Sequence, residues 1–177
     1  MEQADISYFK FSEILKRDKI FVYHGSDTIV ENPKFLLPSR ALDFGMGFYT
    51  TLNKKQAKDF SKKVAERNLS KNTIVNVYSL DISALKELSV LSFDKANGKW
   101  LDFVSANRNG TYSGEIFDVI FGAVANDTIF KTFIAYQNGI LNKKQTIERL
   151  KIRKLYNQLT FCSEKSLNCL SFCEVLQ

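Results

Sequence analysis

The order of hydrophobic and polar positions along the chain predicts a series of short strands. Residues 19–26 form a β-branched and aromatic run that stops at a glycine, and residues 73–80 have the clearest strand composition in the sequence. Shorter runs of the same character predict further strands at residues 47–51, 89–93, 117–124, 158–162 and 171–176. Residues 27–43 hold both prolines and are predicted to form a loop.

Apolar residues at helical spacing predict helices between these strands. Residues 6–17 form an amphipathic pattern, and in residues 53–71 the apolar positions recur on one helical face at Ala57, Phe60, Val64 and Leu69. Asn53 is the predicted N-cap of that helix. Further helices are predicted at residues 94–107, 126–138, 142–155 and 164–170. Because helices and strands do not alternate regularly, the pattern favours an α+β fold over a doubly wound parallel sheet.

Composition supports one folded domain over residues 1–177. The chain is 45% hydrophobic and 13% aromatic, which is enough to bury a sizeable core. It has no basic, apolar leader and no apolar run near the roughly 18 residues that span a bilayer, so we expect a cytoplasmic protein without a membrane partner. With one histidine and three clustered cysteines, no metal site is expected, and the thiols are predicted to be reduced and mostly packed.

The formal net charge of +6 is concentrated in two predicted helices. Their basic residues are Lys54, Lys55, Lys58, Lys62, Lys63, Arg67 and Lys71 in the first, and Lys143, Lys144, Arg149, Lys151, Arg153 and Lys154 in the second. In the first helix the lysines are expected on the solvated face, opposite the apolar positions. Such faces can steer an anionic ligand, and a polyanion-binding surface is the alternative interpretation.

His24 is the only histidine, and it stands near the end of the first predicted strand, followed by Gly25 and Ser26. Ligands commonly meet the backbone at a sheet edge, and a glycine there lacks the Cβ that would keep a flat ligand away. The position alone does not separate a ligand-binding histidine from a partly buried one satisfied by a neighbour.

The segment Asp-Phe-Gly-Met-Gly-Phe-Tyr-Thr-Thr at residues 43–51 places two glycines before two aromatic rings. It lacks the third glycine and the preceding strand of a dinucleotide fingerprint, which excludes a Rossmann interpretation. Strand alternation sends one of Phe48 and Tyr49 toward the core and the other to the opposite face.

Together, Tyr-His-Gly-Ser at residues 23–26 and Gly-Met-Gly-Phe-Tyr-Thr-Thr at residues 45–51 resemble the first two signatures of the His-Tyr-Glu class of ADP-ribosyltransferases. The full set of matching blocks lies at residues 22–26, 43–51 with Gln56 and Ala57 after it, 100–104, 118–127 and 157–161. On these ordered blocks the chain resembles an uncharacterised bacterial family of that superfamily, known as a domain of unknown function. The resemblance implies an ADP-ribosyltransferase-like split antiparallel or mixed β-sheet core with flanking helices.

The resemblance also implies roles at an NAD site without a metal. His24 is expected to bind the 2′-hydroxyl of the adenosine ribose, the backbone of Gly25 the nicotinamide carboxamide, and Tyr49 to stack on the nicotinamide ring. We therefore expect the rings of His24 and Tyr49 to face each other across one cleft. Further cofactor contacts are implied for Ser26, Arg40 and Phe48, with the Arg40 guanidinium suited to the pyrophosphate.

The third signature departs from the class, because Gln158 stands where the superfamily has glutamate. A neutral amide can hold a hydroxyl but cannot act as a carboxylate base, so NAD binding and hydrolysis are favoured over transfer to an acceptor. Glu164 is a candidate source of the missing charge, with a carboxylate at a helix N-terminus as the alternative. The roles of Asp118 and Asp127, which flank an apolar strand, stay open.

Three functional hypotheses follow. The first is an NAD-dependent mono-ADP-ribosyltransferase or NAD glycohydrolase, acting as an intracellular bacterial toxin or anti-phage effector. Its acceptor would be a protein or a nucleic acid, and a small antitoxin protein is a candidate partner. The second, motivated by Gln158, is a catalytically inactive module that binds NAD, a protein or a nucleic acid. The third, motivated by the lysine-rich helices, is a basic nucleic-acid-binding protein.

Overall fold

The strands form one mixed sheet in the part of the chain that the computed structural model describes, residues 10–35, 42–124, 127–151 and 156–176. Their bounds are β1 Ile20–Ser26, β2 Phe48–Thr51, β3 Ile74–Leu80, β4 Val90–Ser92, β5 Val119–Ala123, β6 Asn157–Phe161 and β7 Leu170–Leu176. The order across the sheet is β4-β5-β6-β2-β1-β3-β7, with β4 and β5 parallel and every other neighbouring pair antiparallel. The predicted α+β class is confirmed.

The helices between these strands follow the predicted pattern with one addition. The described residues form α1 Phe11–Ile14, α2 Lys54–Arg67, α3 Ile82–Lys86, α4 Gly98–Arg108, α5 Asp127–Gln137, α6 Lys143–Lys151 and α7 Glu164–Leu167. Asn53 caps α2 as predicted, because its side chain accepts a hydrogen bond from the backbone N–H of Gln56. Helix α3 was not predicted. Residues 6–9 of the predicted first helix, Asn126 and residues 152–155 lie outside the described residues.

Both faces of the sheet are covered. The first face, which includes Val22, Phe48 and Phe121, packs against apolar residues of α1, α3 and α7. The second face packs against α2 at β1 and β3, and against α4, α5 and α6 at β5. Trp100 of α4 is fully buried there, and its indole N–H donates to the Ala123 carbonyl at 3.0 Å. Adjacent strand residues therefore face two different clusters of buried side chains.

The apolar face predicted for α2 is confirmed at Ala57 and wrong at Phe60 and Leu69. The buried residues of this helix are Ala57, Ser61 and Ala65, whereas Phe60 is 40% exposed and Leu69, just beyond the helix, is 94% exposed. The cause is the close approach of β1: a Cβ on Gly25 would lie 2.2 Å from the Ala57 carbonyl oxygen. Only small side chains fit between backbones this close. The lysines of α2 are exposed, as predicted.

Asp118 anchors the start of β5 to two other segments. Its Oδ2 accepts hydrogen bonds from the backbone N–H and the hydroxyl of Ser89, both at 2.9 Å, and pairs with Lys165 Nζ at 2.9 Å. Burial alone would raise the pKa of Asp118, but bonds from Lys165, Ser163 and Ser89 outweigh it and hold the pKa well below its usual range. The open role of Asp118 is thus structural. The side chain of Asp127 lies outside the described residues.

Asp118→Asn is expected to lower the free energy of unfolding by about 1–3 kcal/mol at pH 7, because it removes the charge from these hydrogen bonds. Since the folded pKa is depressed, the wild-type advantage is present above the unfolded pKa of about 3.9 and shrinks as the pH falls through the folded value. Urea unfolding at neutral and acid pH measures both effects. Asp102→Asn, at an exposed pair with Lys143, is the control and should change little. Equal stability of Asp118→Asn and wild type at pH 7 would contradict the account.

Candidate functional site

The pairing between strands β1 and β2 ends next to His24. In the described strands, the β1–β2 ladder holds the single pair Tyr23–Thr51. Beyond it β1 continues along β3 to Ser26, and β2 extends back along β6 to Phe48, so the two strands separate. We call the unpaired stretch between residues 24–26 of β1 and 48–50 of β2 the β1–β2 gap; the hydrogen bond from His24 to the Tyr49 carbonyl crosses it. His24 stands at its start.

The His24 imidazole is fixed by two contacts across the β1–β2 gap. Its Nδ1 donates to the Tyr49 carbonyl at 2.8 Å, and its ring lies 4.4 Å from the Phe48 ring between centroids. Burial lowers the pKa of His24, and the bond to the Tyr49 carbonyl opposes this only in part, so the ring is neutral at pH 7. With the proton on Nδ1, Nε2 is a hydrogen-bond acceptor. Within the described ranges, no residue donates to it.

The Tyr49 side chain is held by its own loop. Its hydroxyl donates to the Gly45 carbonyl at 2.7 Å and accepts from the Phe44 backbone N–H at 3.0 Å. Gly45 has φ 75°, the left-handed conformation that this turn requires. Burial raises the pKa of Tyr49, so the phenol stays neutral. A ring anchored in this way can serve as a rigid stacking surface but not as a proton donor.

The expected arrangement of the two rings is not the one observed. The pairs Tyr23–Thr51 and Thr51–Gln158 place Tyr49 and Gln158 on the second face by strand alternation. His24 lies on the first face with Phe48. The expectation that the rings face each other across one cleft is therefore wrong: the carbonyl of Tyr49, not its ring, meets His24. Phe48 supplies the ring that packs on the imidazole.

Gly25 and Ser26 both contact nearby parts of the protein itself. The space left by the missing Cβ of Gly25 is filled by the α2 backbone at Ala57 and Ser61, rather than open to a flat ligand. The Ser26 hydroxyl accepts from the backbone N–H of Thr28 at 3.3 Å. The NAD contacts implied for these two residues stay predictions.

Gln158 belongs to a buried polar cluster that sequence analysis missed. Its Nε2 lies 3.4 Å from Oδ2 of Asp43, and both side chains are more than nine-tenths buried. Oδ1 of Asp43 accepts from two guanidinium nitrogens of Arg108, at 2.7 and 2.5 Å. The Arg108 guanidinium lies over the Phe133 ring at 4.7 Å. Asp43 stood in a matched sequence block, whereas nothing in the sequence pointed to Arg108.

The remaining predicted residues contribute less. Glu164 is the first residue of α7 and is exposed, which agrees with the helix N-terminus interpretation. Arg40 lies outside the described residues. Of the cysteines, Cys169 is buried and Cys162 partly buried, while Cys173 is exposed. Burial raises the pKa of Cys162 to about 12, so this thiol is unreactive at neutral pH.

Two shallow surface cavities lie away from His24, Tyr49 and Gln158. One is lined by Lys54, Lys58, Val75, Val175 and Leu176, and the other by Lys143, Lys144, Ile147 and Glu148. Within the described ranges, no three His, Cys, Asp or Glu side chains are grouped as metal ligands. None of the described helices has the length and apolar composition needed to cross a membrane.

The comparison with protein families agrees with part of the sequence-based assignment. The family described as "Protein of unknown function (DUF3990)" matches residues 20–172, and the chain belongs to this family. The match covers His24, Tyr49, Asp43 and Gln158. No match was found among curated proteins or among solved structures.

Proposed function

We propose that this protein is an ADP-ribosyltransferase-like domain that binds NAD and cleaves its nicotinamide–ribose bond. The observation that carries the proposal is the neutral His24 imidazole beside the β1–β2 gap, held through Nδ1 with Nε2 left as an acceptor. A ribose hydroxyl has the proton that such an acceptor takes. The first signature of the resembled class places its histidine at this position.

The two faces of the sheet restrict how NAD would bind. His24 lies on the first face, and Tyr49 and Gln158 lie on the second. An NAD molecule that contacts all three must lie across the β1–β2 gap, with the adenosine ribose at His24 and the nicotinamide end at Tyr49. The anchored, partly exposed Tyr49 ring suits stacking on nicotinamide.

Cleavage of the nicotinamide–ribose bond needs little proton transfer at that bond. Nicotinamide leaves as a neutral ring while an oxocarbenium-like ribose develops, so a site helps by stacking the leaving ring and fixing the ribose hydroxyls. Gln158 can hold a hydroxyl but cannot deprotonate an acceptor. The arrangement therefore favours NAD hydrolysis over transfer to a protein or nucleic acid. Such activity suits a cytoplasmic toxin or anti-phage effector with a small antitoxin partner.

Incubation of the purified protein with NAD tests this proposal. Chromatography should show free nicotinamide accumulating together with ADP-ribose. In a bacterial lysate with labelled NAD, the label should appear mainly in free ADP-ribose, and digestion with nuclease or protease identifies any polymer that carries it. Protein that neither binds NAD nor releases nicotinamide would end the proposal.

A second candidate function, an inactive binding module, is favoured by the glutamine at position 158. It predicts NAD binding with no turnover. Loss of a measured turnover in Gln158→Ala would exclude it. The exposed lysines of α2 separately favour polyanion binding, which would weaken steeply between about 50 and 200 mM salt.

A further inference from the structure

We propose that Asp43 is a positioning residue, which turns the Gln158 side chain so that its amide oxygen accepts a hydrogen bond from the ribose of NAD. This inference rests on the proposed function and names how the same site works without the expected glutamate. The observation behind it is the contact between Gln158 Nε2 and Asp43 Oδ2 at 3.4 Å inside a buried cluster.

The orientation of the amide follows from the chemistry of its neighbour. In its ion pair with Arg108, Asp43 is a carboxylate, and a carboxylate only accepts hydrogen bonds. The Gln158 amide must therefore turn its NH₂ group toward Asp43. Its Oε1 then points away from Asp43 and keeps its lone pairs for another donor. Without Asp43 the amide could turn either end toward a ligand.

Packing explains why Asp43 reaches β6. Gln158 pairs with Gly122 of β5, and a Cβ at Gly122 would lie 3.0 Å from the Phe44 ring. The absence of a Cβ at Gly122 thus lets Phe44 lie on the second face beside Gln158. Because Asp43 directly precedes Phe44, its side chain reaches the Gln158 amide. Arg108 of α4, backed by the Phe133 ring of α5, holds the other carboxylate oxygen. A strand and a helix remote in sequence, β6 and α4, thus hold the two oxygens of one carboxylate.

The consequence is a site that accepts a hydroxyl proton in a hydrogen bond but does not remove it. A glutamate offers an acceptor oxygen in either orientation, whereas a glutamine offers one only when it is turned correctly. Asp43 supplies the correct orientation, and its negative charge polarises the amide toward Oε1. The site therefore resembles a glutamate site in ribose binding and differs from it in base strength.

Exchanging the carboxylate and the amide between positions 43 and 158 tests this inference. Asp43→Asn should lower kcat/KM for nicotinamide release about tenfold, since the amide loses its fixed orientation. Gln158→Glu should also lower it, because two carboxylates then stand side by side. The double variant Asp43→Asn with Gln158→Glu restores one amide facing one carboxylate. Each single variant has a kcat/KM expressed as a fraction of the wild-type value. The kcat/KM of the double variant should be about ten times higher than the product of those two fractions predicts.

A second measurement uses the wild type and therefore does not depend on whether the variants fold. In the nitrogen-15 spectrum of the wild type, the Gln158 side-chain NH₂ should show slow hydrogen exchange, because it is buried and bonded to Asp43. Thermal unfolding of each variant controls for stability. A folded Asp43→Asn protein with wild-type kcat/KM, or fast exchange of this NH₂ group, would overturn the role of Asp43 alone. A wild type that is inert toward NAD would instead overturn the proposed function.

Discussion

Replacing His24 by alanine is expected to lower nicotinamide release from NAD by about a hundredfold or more, because the site loses a preorganised hydrogen bond that positions the dinucleotide for cleavage. The physical reason is the loss of Nε2, the acceptor at the β1–β2 gap. His24→Asn is the matched variant, because its amide can still donate to the Tyr49 carbonyl but does not reach the position of Nε2. It should keep the thermal stability of the wild type better than His24→Ala and lose as much turnover.

The pH dependence of turnover checks the same residue. The pKa of His24 lies below its ordinary value of about 6.5, so Nε2 is unprotonated above that pH. Activity should be flat through neutral pH and fall only on the acid side of the ordinary imidazole pKa of about 6.5, when the imidazole takes up a proton. A folded His24→Asn protein with wild-type turnover, or an acid limb centred above pH 7, would count against a role for His24.

Gly25→Ala is expected to destabilise the protein strongly, because Gly25 has the least room for a Cβ among the described glycines. Its Cβ would lie 2.2 Å from the Ala57 carbonyl oxygen and 2.8 Å from the Ser61 backbone nitrogen, and neither backbone atom can move without shifting α2. We expect a loss of about 3 kcal/mol in the free energy of unfolding, at the upper end for overpacking. Urea unfolding followed by circular dichroism measures it.

Gly98→Ala is the matched control for this prediction. Its Cβ would also make a contact below 3 Å, at 2.6 Å, but with the flexible end of the Lys143 side chain. Gly98 is the first residue of α4, where alanine is a better helix former than glycine. Stability within about 0.5 kcal/mol of wild type is expected. If Gly25→Ala were equally well tolerated, the close contact between β1 and α2 would be refuted.

Sequence patterns located the strands well, because local composition determines them. The predicted strand at residues 73–80 is β3 Ile74–Leu80, and the N-cap at Asn53 follows from a local hydrogen bond. Helix α3 was missed because it has five residues and its main signal is the Asp81 cap. The buried face of α2 was mispredicted because it depends on Gly25, which is remote in sequence.

The candidate site was predicted as a set of residues but not as an arrangement. The motifs pointed to His24, Tyr49 and Gln158. Their distribution over two faces follows from the register Tyr23–Thr51, which a hydrophobicity pattern does not contain. The contact between Asp43 and Gln158 joins residues 115 positions apart, so only the folded chain reveals it.

Because the chain has a single histidine, nitrogen-15 labelling of histidine gives the most direct test of the central claim. The spectrum of the free protein at pH 7 should show one neutral imidazole, protonated at Nδ1 and unprotonated at Nε2. Titration with NAD or a non-hydrolysable NAD analogue should then shift the Nε2 resonance as it accepts a ribose hydroxyl. A proton on Nε2 in the free protein, or an Nε2 resonance unchanged at saturating ligand, would contradict the account.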